Sequence, residues 1–74
     1  MVFEKVKKII AKELNLKEED IQLESRLAED LGADSLDAVE LIMAIEEEFD
    51  LQVSDEAAQN IRKVGDIVQF LENN

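Results

Sequence analysis

The run DLGADSLDAVELIMAIEEEFD, residues 30–50, decides the fold. Leu41, Ile45 and Phe49 recur at i, i+4 and i+8, the spacing of one helix face, and Ile42 and Val39 are expected to flank them. Gly32 marks a turn before the run, Asp34 or Ser35 can cap it, and Asp50 closes it. A helix is therefore predicted over Ser35–Phe49.

Working outward, Phe3, Val6, Ile10 and Leu14 follow i, i+3, i+7 and i+11 and predict a first helix over Val2–Leu14, stopped at Asn15. Residues 16–33 carry no sustained period. A connection this long is uncommon in a compact domain and is often functional. Ile21, Leu23, Leu27 and Leu31 are expected to pin it to the core, with room for one turn near Leu27–Leu31. Past the central helix, Ser54 or Asp55 caps a short helix near Asp55–Ile61, and Val64, Ile67, Val68 and Leu71 form the inner stripe of a last helix over Val64–Leu71. The expected fold is all-α: a four-helix bundle of three longer helices and a short third one, with a long loop between the first two. One domain spans residues 1–74.

The chain has no proline and 2 glycines, which agrees with helices throughout. It also has no cysteine, histidine, tyrosine or tryptophan. The usual general base, the commonest metal ligand and any thiolate nucleophile are therefore missing, so neither an enzyme nor a metal site is expected. No apolar run reaches membrane-spanning length, and the charged, amphipathic start is not a secretory leader, so a cytoplasmic protein is expected.

The net charge is −11, and its placement matters more than its size. Residues 27–61 hold 11 acids and no base, while the rest of the chain sums to zero. Such a field repels nucleic acid and anionic membranes and attracts basic partners. On the central helix Leu36, Glu40, Met43 and Glu47 form a stripe offset by roughly 140° from Leu41, Ile45 and Phe49. Leu36 and Met43 are thus expected to stand exposed among acids. That arrangement reads either as a solubilising face with two stray apolar residues or as a docking face for basic partners. Glu46 to Asp50 crowd the end of the helix that disfavours anions, with no local compensation in the sequence.

Ser35 has no base arranged to activate it, so it is not a hydrolase nucleophile. A serine modified by another enzyme needs only an exposed hydroxyl at a helix start, where backbone N–H groups favour an attached phosphate. Asp34 can take over the capping and leave that hydroxyl free.

The segment DLGADSLDAVEL, residues 30–41, closely resembles the phosphopantetheine attachment motif of acyl carrier proteins. The resemblance continues through LIMAIEEEFDLQVSDEAAQNI and VGDIVQFL and covers nearly the whole chain. It is closest to the free-standing carriers of fatty acid synthesis. The resemblance implies that a phosphopantetheinyl transferase joins 4′-phosphopantetheine to Ser35 through a phosphodiester, with Asp34 beside the transferase's magnesium. It implies that Leu36, Asp37, Glu40, Met43 and Glu47 belong to the helix read by the basic-faced enzymes of fatty acid synthesis. It makes Leu41, Ile45, Val53, Ala58, Ile61 and Ile67 candidates to line an acyl cavity, although ordinary packing would place them inside as well. The carrier would act as a monomer. Gln59 and Asn60 stand where the family usually has charge, and Lys63 replaces a hydroxyl residue, weakening the expected cap on the last helix. A carrier of polyketide, amino acid or specialised acyl cargo fits the same motif. An acidic calcium-binding interaction module is the reading from another class, but the spacing of Asp30, Asp34 and Asp37 does not match the EF-hand loop.

Overall fold

The computed structural model describes residues 2–73 and contains four α-helices: α1 (Val2–Leu14), α2 (Ser35–Phe49), α3 (Asp55–Asn60) and α4 (Val64–Glu72). Helix α1 packs on both α2 and α4. Val6 and Ile10 of α1, Leu41 and Ile45 of α2, and Val64, Ile67, Val68 and Leu71 of α4 make most of the buried core. Each set recurs at helical spacing, so the apolar stripes meet along the shared axis and leave the charges outside.

Helices α1 and α2 stop in the same way. Asn15 (φ 58°) and Asp50 (φ 52°) take the left-handed conformation that Asn and Asp tolerate better than most residues. The amide that follows each of them returns to the last turn: Leu16 N–H donates to Ala11 O at 2.9 Å, and Leu51 N–H to Glu46 O at 3.1 Å.

The long connection is braced rather than irregular. It contains a 3₁₀ turn over Glu18–Asp20 that hydrophobic periodicity does not reveal. Ile21 and Leu27 are buried as expected, and Leu31 is half-buried against the core. Leu23, expected inside, is 44% exposed. Its contribution lies in its backbone: Leu23 O accepts from Gly65 N–H at 2.9 Å, Val64 N–H donates to Ser25 O at 3.0 Å, and Leu27 N–H donates to Arg62 O at 2.9 Å. These bonds surround an antiparallel bridge between Arg26 and Lys63 and clasp the loop to the start of α4. A Cβ on Gly65 would sit 3.0 Å from Leu23 O, a tight contact that would make the loop give by a few tenths of an ångström, and glycine avoids it. The turn expected near Leu27 is present, with Leu31 N–H donating to Arg26 O at 3.1 Å. At the start of α4 Lys63 has no oxygen to offer, and Asp66 compensates. Its carboxylate accepts from the amides of Arg62 and Lys63, each at 3.0 Å.

Candidate functional site

The N-terminus of α2 is organised around a reciprocal cap. Asp34 Oδ1 accepts from Asp37 N–H at 2.9 Å, and Asp37 Oδ2 accepts from Asp34 N–H at 3.2 Å. Asp34 is thus the N-cap, and Ser35 is the first helical residue. Ser35 is solvent-exposed, and its hydroxyl is not needed for the cap. Gly32 (φ 74°) turns the chain into this position, and Ala33 N–H anchors the approach to Leu27 O at 2.8 Å.

A cleft of about 590 Å³ opens beside the serine. Its floor and walls include Leu27, Ala33, Ala38 and Ile61, and its rim carries Glu29, Asp34, Ser35 and Arg62. Apart from Asp34, Ser35 and Ile61, these residues are not distinguished by sequence reasoning. Leu27 shows only as a core residue of the loop, and Arg62 only as the first base after a base-free segment.

The acids are less isolated than the sequence suggests. Arg26, just outside the base-free segment, reaches Glu29 at 2.9 Å and Asp30 at 3.4 Å. Asp30 Oδ2 also accepts from Arg26 N–H at 2.8 Å. That backbone hydrogen bond, with the side-chain bond and the charge of the same arginine, holds the Asp30 carboxyl below the usual carboxylate range. At the other end of α2, Glu46 Oε2 accepts from Val53 N–H at 2.7 Å. The expectation of no local compensation there is corrected: one of the crowded carboxylates ties α2 to the following connection.

The outward face of α2 carries more apolar surface than expected. Leu36 is 67% exposed and Met43 56% exposed, as their stripe requires. Val39, expected to flank the core, is 54% exposed. It stands two residues before Leu41, which is about 200° round the helix. Leu36, Val39 and Met43 therefore fall at i, i+3 and i+7 on one face, beside the exposed Glu40 and Glu47. Asp37 is half-buried in the cap.

The six acyl-cavity candidates divide. Leu41, Ile45 and Ile67 lie in the packed core, and Val53, Ala58 and Ile61 are half-buried. Of the six, Ile61 borders the cleft at Ser35. It also borders a separate open hollow between α3 and α4 that contains Ala57 and Phe70.

The family model described as "Phosphopantetheine attachment site" matches residues 4–71. The chain is 56% identical over 71 residues to the acyl carrier protein of Clostridium acetobutylicum, covering 96% of this chain and 92% of that protein. It is 47% identical over 73 residues to the acyl carrier protein of Wolinella succinogenes, covering 99% and 96%. A solved chain from Mycobacterium tuberculosis, assigned as an acyl carrier protein, superposes with a TM-score of 0.92 at 34% identity, covering 99% of this chain and 97% of that one.

Proposed function

This chain belongs to the acyl carrier proteins, and from that premise we propose that Ser35 bears the arm and that the cargo is the growing chain of fatty acid synthesis. As a member of that family it is a carrier rather than an enzyme, and its cofactor is 4′-phosphopantetheine. The arm supplies the thiol that this cysteine-free chain lacks, on which acyl groups ride as thioesters.

The observation that carries the site reading is the division of labour at the start of α2. Asp34 and Asp37 satisfy the first amides, so Ser35 can accept a substituent without unravelling the helix. Its exposure gives a transferase access, and the helix N-terminus favours the phosphate that arrives. The group fits: the serine stands at the rim of a cleft of about 590 Å³ whose lining includes Leu27, Ala33, Ala38 and Ile61, apolar surface on which a flexible arm can lie. Leu27, Ala33, Ala38 and Ile61 suit an alkyl chain better than a charged amino acid, which supports fatty acyl cargo.

Leu36, Val39 and Met43 supply the apolar centre of a docking face, and Glu40 and Glu47 supply its charge. Basic-faced enzymes would be steered in by the acids and held by the apolar stripe. One domain spanning the chain carries both the arm and this face.

The test is intact mass after incubation with coenzyme A and a phosphopantetheinyl transferase. The chain gains one phosphopantetheinyl group, and Ser35→Ala gains none while keeping its helical circular dichroism. A mass gain in Ser35→Ala would refute the assignment. Mass analysis of the loaded protein drawn from its own cells separates saturated acyl cargo from polyketide or aminoacyl cargo.

A further inference from the structure

The cleft at Ser35 contains a cation that the reading above does not use. Among the residues that border it Glu29 and Asp34 are acids, and Arg62 is the one base. The backbone of Arg62 is held from two sides. Its carbonyl accepts from Leu27 N–H at 2.9 Å, and its amide donates to Asp66 at 3.0 Å. The root of the side chain is thereby fixed on the cleft wall.

The guanidinium itself enters none of the ion pairs among the described residues. Those pairs join Lys7 to Glu4, and Arg26 to Glu29 and Asp30. Glu29, one acid of the rim, is already answered by Arg26. Asp34 is occupied by the cap. Arg62 is thus anchored at its backbone, exposed as a residue, and borders a cleft whose two acids already have partners, which leaves its charge available to an anion. A phosphodiester on Ser35 would bring one negative charge to that rim, beside the carboxylate of Asp34. The forked guanidinium matches two oxygens of such a group.

We propose that Arg62 is the counter-ion of the phosphodiester on Ser35, a positioning residue that holds the root of the arm over the cleft. The proposal rests on Ser35 as the attachment site. Arg62 has no part in the thiol chemistry at the far end of the arm. Its effect is on where the arm starts and which way it leaves the surface.

The experiment uses the full chain in apo and holo forms, with intact mass checked first. A wild-type chain that takes no arm, or Ser35→Ala that takes one, refutes the attachment site and the proposal together. With one arm on Ser35, only the role of Arg62 is at stake. The readouts are the ³¹P resonance of the diester and the Nε–H signal of Arg62 in ¹⁵N spectra. The Nε–H signal is expected to shift between apo and holo protein. The ³¹P resonance is expected to shift in Arg62→Gln and to lie between the two in Arg62→Lys. Raising salt to about 1 M, where the Debye length is about 3 Å, is expected to move the wild-type ³¹P resonance toward that of Arg62→Gln. Melting temperature is expected to hold in both variants, because the interactions that anchor Arg62 are made by its backbone. An Nε–H signal indifferent to the arm, or a ³¹P resonance unchanged in Arg62→Gln, overturns the proposal.

Discussion

Helices α3 and α4 are neighbours in sequence and opposites in burial. Helix α4 spans 9 residues and buries Val64, Ile67, Val68 and Leu71. Helix α3 spans 6 residues and buries none of them fully. Its hold on the fold is a cap, with Ser54 Oγ accepting from Ala57 N–H at 3.1 Å, and the half-buried faces of Ala57 and Ala58. Stability should therefore be concentrated on the α1, α2 and α4 side of the Ser35 cleft. Ile61 borders the cleft from the end of α3, so this is the wall that can move at least cost.

The largest test of this contrast is Ile67→Ala. Truncation of a core isoleucine costs about 2–5 kcal/mol, which is a large part of the roughly 5–15 kcal/mol that holds a domain together. Urea unfolding reads it, and a loss well under 1 kcal/mol would break the claim that α4 is the anchor. Ser54→Ala is smaller: loss of an N-cap costs about 1 kcal/mol. The cost is expected to appear as faster hydrogen exchange confined to α3, with the α4 amides keeping global protection. Equal slowing or quickening in both helices would mean that they open as one unit.

Asp30→Ala sharpens the comparison on the loop side. The Asp30 carboxyl is held low, chiefly by the Arg26 amide. A carboxylate whose pKa falls on folding stabilises above its unfolded value, about 3.9, and that contribution is lost as pH falls through the folded value. Wild type should therefore melt above Asp30→Ala at neutral pH, and the gap should close in acid. A gap that widens on acidification would contradict the sign. The smallest effect on stability is expected from Met43→Ala, within about 0.5 kcal/mol. Under the proposed docking role, it is expected to weaken binding to a basic-faced enzyme with little salt dependence. Glu47→Lys should slow association, and most at low salt. Full affinity in both variants would remove the α2 docking face.

The helices were legible because their apolar residues recur at helical spacing: Leu41, Ile45 and Phe49 marked α2 as plainly as Val6 and Ile10 marked α1. The cap at Asp34 and the exposed place of Ser35 beside it were legible because the chemistry of helix starts points to them. The misplaced residues have physical reasons. Val39 looks like a core residue by type, yet its angle on the helix puts it opposite Leu41. Leu23 is held by its carbonyl rather than its side chain, and side-chain pattern carries no trace of that bond. The pairings of Arg26 with Glu29 and Asp30, and the reach of Glu46 to Val53, depend on where a turn brings charge and amide together. The cleft was illegible because Leu27, Ala38 and Arg62 come from three separate segments.

The clasp between the long loop and the start of α4 has a kinetic consequence. Leu23 and Gly65 lie on opposite sides of α2 and α3 in the chain, so their bond closes the largest loop in the backbone network described above. Contacts of long sequence separation reward the chain only after the entropy of closure is met, and local helices form far sooner. The clasp is expected to form after the folding barrier and to act as a latch on escape from the native state. Gly65→Ala presses a methyl against Leu23 O and loosens that latch. It should steepen unfolding rates while leaving refolding rates nearly unchanged, the pattern of a contact absent from the transition state. Stopped-flow traces in urea would show it as a raised unfolding limb, and a depressed refolding limb would place the clasp in the nucleus instead.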